Sequence, residues 1–511
     1  MGIVRRQGAK HSIVQYVGVA IGGISTLFIY PLNQDLYGFA QFLIGTALLI
    51  YPLCNLGIHM VVMRYFPRFS REEDGGHAFF RWALFISVMM FALVAALFIM
   101  FKASILSFLE GYNFSESHLL ENYYHEILTL TLMAILVVLL RAQSINYRRI
   151  VVPSVLSEFS LKLFLPVVIL LSLFVNLGFR ELSLALIIYN ISVVILMAAY
   201  LFHIGAVSLQ SNQEFSLKKA FFNKETIWYS MYSSLSRMGS LFAFRIDAFM
   251  ITLILGAASN GLYYVILFIA NVIEIPFRSL NQISVPLITK AWEDQDLGKI
   301  SSIYSQTART LTLVSLCIFL FLWWSLPDIL LLSPKSDELQ VGVQLFLFLG
   351  LAKVANSITS VNEPILNYSR HYRFGLYFVL FLGISNIFLN YHLINIYGLV
   401  GAAMATCISY LAYNLIKLLF IYLVYGIHPW SRAMTIMFLL AIACTLLQYP
   451  VQWVPSPFLR VLFNGTIILL LFLLPSIVLR LSPDFNGLLR IIFGKLPIFG
   501  QSLQRWITKY I

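Results

Sequence analysis

Charge is what this chain has little of. Only 11% of its 511 residues are charged, against 60% hydrophobic, where soluble domains average about 25% charged residues. So little charge excludes an ordinary soluble globular domain and places the chain among polytopic membrane proteins. Cysteine is also scarce: Cys54, Cys317, Cys407 and Cys444 each fall in an apolar run, with no metal-site spacing and no disulfide framework. They read as small packing residues. A cleavable leader is not expected, because the basic stretch Met1–Lys10 runs straight into a full-length apolar span. Paired carboxylates on a large external loop, as an enzyme of glycan synthesis would need, are missing too. The longest external loop, Lys102–Glu126, carries only Glu110, Glu116, Glu121 and Glu126, with no metal or nucleophile constellation. A membrane glycosyltransferase or polysaccharide polymerase is therefore disfavoured, and a transporter is expected instead.

Long apolar runs are abundant. Fourteen can be counted from Ser12–Tyr30 and Phe39–Met60 to Phe458–Leu479, each fit to cross roughly 30 Å of hydrocarbon as a helix. The fourth and fifth, Ile127–Leu140 and Leu163–Leu177, are short and should extend into their flanks. The loops alternate sharply: 23 basic residues lie on one side of this topology, and four, Lys102, Arg180, Lys335 and Arg460, on the other. The positive-inside rule then puts both termini in the cytoplasm. The formal net charge of +12 is thus a topology signal, and no nucleic-acid partner is implied. Beyond Arg480, apolar Leu488, Ile492, Phe499 and Trp506 interleave with Arg490, Lys495, Arg505 and Lys509, as in an amphipathic segment lying on membrane lipids.

An internal repeat is visible. "LYGFAQFLIGTALLIYPL" around Gly38 resembles "NGLYYVILFIANVIEIPF" around Gly261, about 223 residues later, and both copies run on into a loop that turns from basic to acidic. Repeats of this kind are common in transporter folds. The expected organisation is a lobe over 1–210, a second lobe over 211–430, two further helices over 431–480 and a cytoplasmic amphipathic tail over 481–511. The expected fold class is all-α, with about fourteen transmembrane helices in two six-helix lobes plus two.

Against this background five ionisable residues stand out inside apolar spans: Arg237, Arg245, Asp247, Glu274 and Lys353. A charge near the bilayer centre costs at least roughly 2.5–3.5 kcal/mol, so such residues usually face a cavity or pathway. Ser233, Arg237, Ser240 and Asp247 fall on one arc of the seventh helix, with Arg245 on the adjoining side. Asn271, Glu274, Arg278 and Asn281 make a second stripe, in which Glu274 can pair with Arg278 at i,i+4. Lys353, Asn356, Ser357, Ser360 and Glu363 make a third. Lys162, Arg309 and Lys417 lie near inner ends and are expected to snorkel. Arg237, Arg245, Arg278 and Lys353 outnumber Asp247 and Glu274 by four to two. The surplus calls for an anionic ligand, and arginine's planar fork suits phosphate. All these residues lie in the second repeat; the helices of the first are expected to hold no counterpart. Asp247 and Glu274 serve either ion pairing or ion coupling. Asp247, Asn386, Asn390 and Thr406 are a candidate cation site of oxygen ligands, although paired asparagines more often make interhelical hydrogen bonds.

Three segments carry a family resemblance: "GIVRRQGAKHSIVQYVGVAIGGISTLFIYPLN", "LYGFAQFLIGTALLIYPLCNLGIHMVVMRYFPRF" and "NIYGLVGAAMATCISYLAYNLIK". They resemble the polysaccharide-biosynthesis (Wzx-like) flippases of the multidrug/oligosaccharidyl-lipid/polysaccharide exporter superfamily, over essentially the whole chain. The resemblance implies two six-helix lobes around a cavity, working by alternating access in a bacterial inner membrane. It implies a polyprenyl-pyrophosphate-linked oligosaccharide as substrate, in the export of surface polysaccharide or O-antigen. Arg237, Arg245, Arg278 and Lys353 are the positions that would meet the pyrophosphate. No cofactor is implied beyond Na+ or H+ as a candidate coupling ion. The chain is expected to be a monomer, with a polysaccharide polymerase or glycosyltransferase complex as a candidate partner. Two sister branches fit less well. Drug-extruding members commonly carry a coupling acid in the first helix, and Ser12–Tyr30 has none. "SRMGSLFAFRID" resembles an arginine-bearing motif of lipid II flippases, yet it stands here in the seventh helix, and the first lacks arginine.

Overall fold

The computed structural model describes residues 14–15, 17–69, 75–111, 114, 116–208, 221, 223–447 and 454–494, with the backbone alone at some of them, Arg237 among these. Every described element is helical. Those that position the polar residues are α1 (Gln34–Asn55), α2 (Ile58–Phe69), α3 (Tyr124–Asn146), α4 (Val151–Leu171), α5 (Lys224–Leu255), α6 (Ala257–Glu293), α7 (Leu297–Leu331), α8 (Gly342–Ile358), α9 (Arg373–Tyr425) and α10 (Pro483–Gly494). Among the described residues ten helical stretches are long and apolar enough to cross a membrane. Two of them, Val17–Asn55 and Arg373–Tyr425, have length for two crossings each. The charged helix α5 and the shorter Arg432–Leu447 stand outside that count. This is a multi-pass membrane protein. Its apolar side chains point outward as well as inward: Phe85, Met89 and Leu93, each about half exposed, recur every four residues on Gly75–Met100. In water such a stripe would be a liability; in lipid it is a solvated face.

The helix boundaries follow from local chemistry. Pro31 lies in a short 3-10 turn, Tyr30–Asn33, after which α1 begins. Asn33 then caps α1, its Oδ1 accepting from Leu36 N–H at 3.2 Å. The helix therefore starts five residues before Phe39, where hydropathy alone placed it. Asn223 caps α5 in the same way and Asp296 caps α7, each at 2.8 Å. The break in α9 falls at Gly398, whose φ of 59° and ψ of −137° suit glycine and few other residues.

The chain forms two compact units. One comprises residues 1–265 with 386–399, the other 266–385 with 400–511. The first unit is organised along α1 and α5. At one end, Ser234 Oγ donates to Pro52 O at 2.9 Å and Ser230 Oγ donates to Leu56 O. Nearby, Tyr65 Oη on α2 donates to Glu225 at 3.1 Å; burial first, then that carboxylate, pushes the Tyr65 phenol up from its ordinary range. Midway, Gly45 lies against Ala248. At the other end α1 crosses the start of α6. There a Cβ on Gly38 would overlap Ala257 O, and a Cβ on Gly261 would overlap Gln34 O. Each glycine thus meets the carbonyl four residues before the other. Asn260 Nδ2 closes the crossing with a 2.8 Å bond to Gly38 O. The two glycines at the centres of the repeat copies are in mutual contact.

The second unit packs α7 against α8, with Phe319 stacked on Phe346 and Gly350 admitting the Phe319 ring. The chain beyond Arg480 forms α10, and Phe485 and Leu489 fold back onto Ile477. The interleaved residues from Lys495 onward lie outside the described residues, as do Arg5, Arg6 and Lys10.

Candidate functional site

Two polar clusters stand among the apolar helices, one in each unit. In the first, Asp247 on α5 is buried and held by three donors. Tyr263 Oη donates to its Oδ2 at 2.8 Å. The Nδ2 groups of Asn386 and Asn390 donate to its Oδ1 at 3.1 and 2.8 Å, and Asn390 also donates to Asn386 Oδ1 at 2.9 Å. Both asparagines are fully buried, and so is Tyr263. The i,i+4 spacing that suggested a common face brings both amides to one carboxylate. Tyr263 is a partner that sequence reading missed, though it opens the second copy of the repeat. Thr406, the fourth residue of the expected cation site, lies on the part of α9 that is in the second unit and has a partner of its own. As placed, the amides turn their N–H groups to the carboxylate, and Asn390 Oδ1 is buried without a hydrogen-bond partner among the described residues. No group of three or more His, Cys, Asp or Glu suited to a metal occurs among the described residues. Arg245, half-buried two residues before Asp247, lies by the hydroxyls of Tyr37 and Tyr264 and its charge acts on both. The side chain of Arg237 lies outside the described residues.

In the second unit Glu274 is the centre. The helix α6 tightens to a 3-10 turn over Val272–Glu274, just before Pro276, and so offers the carboxylate at a break. Its Oε2 lies 3.4 Å from Lys353 Nζ and 3.7 Å from Arg278, and its Oε1 accepts from Asn356 Nδ2 at 2.9 Å. The side chains of Glu274 and Lys353 are 8% and 7% exposed, whereas that of Arg278 is 64% exposed. Lys353 also lies 5.5 Å from the Tyr410 ring centre, a cation–π contact that helps to hold an ammonium out of water. Here two cations converge on one acid.

Two expectations are corrected. Lys417 does not reach for the membrane surface. It is 2% exposed, its Nζ lies 3.8 Å over the Tyr413 ring, and it donates to Asn362 Oδ1 at 3.2 Å. The ring comes from Tyr413, one turn earlier on α9, and the amide oxygen from Asn362, which is remote in sequence. The first repeat is not without intramembrane charge either. Glu158, in a π-helical turn of α4 over Val155–Phe159, pairs with Arg141 and accepts from Gln15 Nε2 at 2.8 Å. Lys162, one turn on, sits against Gly18. Starting the fifth span at Leu163 hid Glu158 and left Lys162 at the span's edge. Pro153, the serines and Glu158 lowered the local hydropathy of a stretch that is helical from Val151. Wide turns of this kind are frequent at functional sites.

No family model matches the chain. An uncharacterized membrane protein, MJ1375, of Methanocaldococcus jannaschii is 26% identical over 196 residues, 38% of this chain and 45% of that one, so the match spans less than half the length of that relative. Comparison with solved structures is more extensive. The lipid II flippase MurJ, in an inward closed conformation, aligns with a TM-score of 0.70 at 12% identity, covering 92% of this chain and 98% of MurJ. This chain has the MurJ fold. The same architecture, more distantly, appears in a MOP superfamily transporter from Pyrococcus furiosus and in the Vibrio cholerae MATE transporter VcmN, each at a TM-score of 0.50 over 83% of this chain, with 13% and 14% identity. At such identities the likeness is one of fold. It shows the all-helical MurJ and MATE architecture that the sequence led us to expect.

Proposed function

We propose that this protein is a flippase for a lipid-linked oligosaccharide, moving a polyprenyl-pyrophosphate glycan across a bacterial inner membrane by alternating access, with both termini in the cytoplasm. The observation that carries the reading is the convergence of Lys353 and Arg278 on Glu274 within the membrane-spanning helices. Two cations there outweigh one acid; in the other unit, taken by itself, Arg245 stands by the phenols of Tyr37 and Tyr264. An anionic headgroup is the ligand such a surplus favours. The fuller likeness to a flippase than to the MATE transporters supports the same direction. On this reading the protein is a transporter with no catalytic residues, and export of surface polysaccharide or O-antigen is its role. The lobes at 1–210 and 211–430 would be the moving bodies.

The test is export in living cells. Arg245→Ala or Arg237→Ala should abolish surface polysaccharide while the protein remains in the membrane; full export in both variants would overturn the cationic mechanism. Rescue of cells depleted of their own lipid II flippase would move the substrate to lipid II. A second reading, a cation-coupled drug or metabolite antiporter, is favoured by the buried Asp247–Asn386–Asn390 cluster alone. It requires drug resistance on overexpression that Asp247→Asn abolishes.

A further inference from the structure

Glu274 occupies the place that an incoming anion would take. An ammonium, a guanidinium and an amide N–H surround its two oxygens, and this donor set would serve a phosphate oxygen equally well. Two anions cannot both keep these partners, because like charges at that distance oppose each other's ionisation. Nor can Lys353 stand alone: a buried charge stripped of its partner is strongly destabilising. Among the described residues, the charged and titratable groups that face Glu274 are Lys353 from α8 and Arg278 from its own helix, with Tyr410 of α9 beside Lys353. The carboxylate also sits where the helix can pivot, on a 3-10 turn followed by Pro276.

We infer that Glu274 is an internal stand-in for the substrate's anion, and that it takes up one proton as that anion binds. The inference rests on the anionic substrate of the flippase reading. With the site free of substrate, Glu274 is ionised and neutralises one of its two cations. When a pyrophosphate arrives, it takes over Lys353 and Arg278. A proton from water then adds to the displaced carboxylate, giving a neutral acid whose O–H can donate to the anion. Charge balances: one proton enters with each anion bound. Such coupling is reciprocal. More protons are bound in the occupied state, so affinity rises as pH falls, by up to about tenfold per pH unit for one linked proton. Loading thereby responds to the pH on the side to which the site is open, through a residue of α6 and without use of Asp247.

The experiment uses the full chain in detergent and farnesyl pyrophosphate as probe, with affinity measured from acid to mildly alkaline pH. The probe's own titration is common to every variant, so the difference between profiles is the readout. Glu274→Gln, a fixed mimic of the protonated acid, should bind at least about tenfold more tightly than the parent at alkaline pH, and the parent's extra pH dependence should vanish. A Glu274→Gln profile parallel to the parent's would overturn the proposal. Lys353→Met should lose most binding at every pH; if it does not fold, Lys353→Met/Glu274→Gln removes both buried charges together and serves instead. Loss of binding in the lysine variant with parallel glutamate profiles would sink the stand-in but keep the anionic substrate. Unchanged binding in both Lys353→Met and Arg278→Ala would remove the anion-binding reading beneath it.

Discussion

A carboxylate inside a membrane protein is defined by what donates to it, and Asp247 and Glu274 have opposite company. Asp247 is held by a phenol and two amides; Glu274 is held by two cations and one amide. Removing one neutral donor from a buried acid should cost about 1–3 kcal/mol. Asn390→Ala is therefore expected to lower the unfolding midpoint in detergent. In Asp247→Asn/Asn390→Ala the two effects should add to less than their sum, because they share a bond; strict additivity in a thermal melt would argue against the cluster. At this scale the sequence was informative about which residues matter and poor about their partners. Acids and arginines inside apolar runs are conspicuous because each carries a large transfer cost. Tyr263, Tyr410 and Tyr413 are inconspicuous because an aromatic ring in such a run costs nothing to place. Lys417 misleads for the same reason: Tyr413, one turn before it, is inconspicuous, and Asn362 is 55 residues away in the chain.

At the scale of helices, what was legible was period and composition. Apolar runs and basic loops located most spans, whereas the ends depended on caps and breaks that hydropathy does not register, such as Asn33, the π-turn at Glu158 and Gly398. The repeat was legible as similar words around two glycines, but only the packing explains why glycine stands at both. Any side chain at Gly38 or Gly261 would intrude on the backbone of the opposing helix. Gly38→Val or Gly261→Val should therefore force α1 and α6 apart at that end. A cysteine placed nearby should then react faster with a membrane-impermeant maleimide than in the parent. Gly45→Ala is the control: its added methyl would lie 3.1 Å from the Ala248 Cβ, a contact that a small shift relieves, so little change in labelling is expected.

For the whole molecule, orientation is the property most open to a direct test. The native thiols suit it, since Cys54, Cys407 and Cys444 are buried and Cys317 is partly so. Ser107→Cys, on an exposed turn of the acidic loop that the charge alternation predicts to be external, should be labelled by an impermeant maleimide in intact cells. Glu293→Cys, exposed at the end of α6, should be labelled only after permeabilisation. The reverse pattern would invert the topology, and with it the direction of transport. The alternation of basic loops carries that expectation, because the cost of translocating lysine and arginine is written directly into composition. What the glycan is leaves no comparable trace, since sugars are met by scattered polar groups and by water.

The crossing of α1 and α6 has one more consequence. Gly38 meets Ala257 O while Gly261 meets Gln34 O, and both carbonyls stand at the same offset from their own glycine. Such a contact is self-complementary, the kind that a two-fold axis generates from a single surface. One half-length chain bearing one such glycine would hold both sides of the joint by meeting a second copy of itself. The joint could thus predate the fusion of the halves, with each glycine inherited from the same position in a dimeric ancestor.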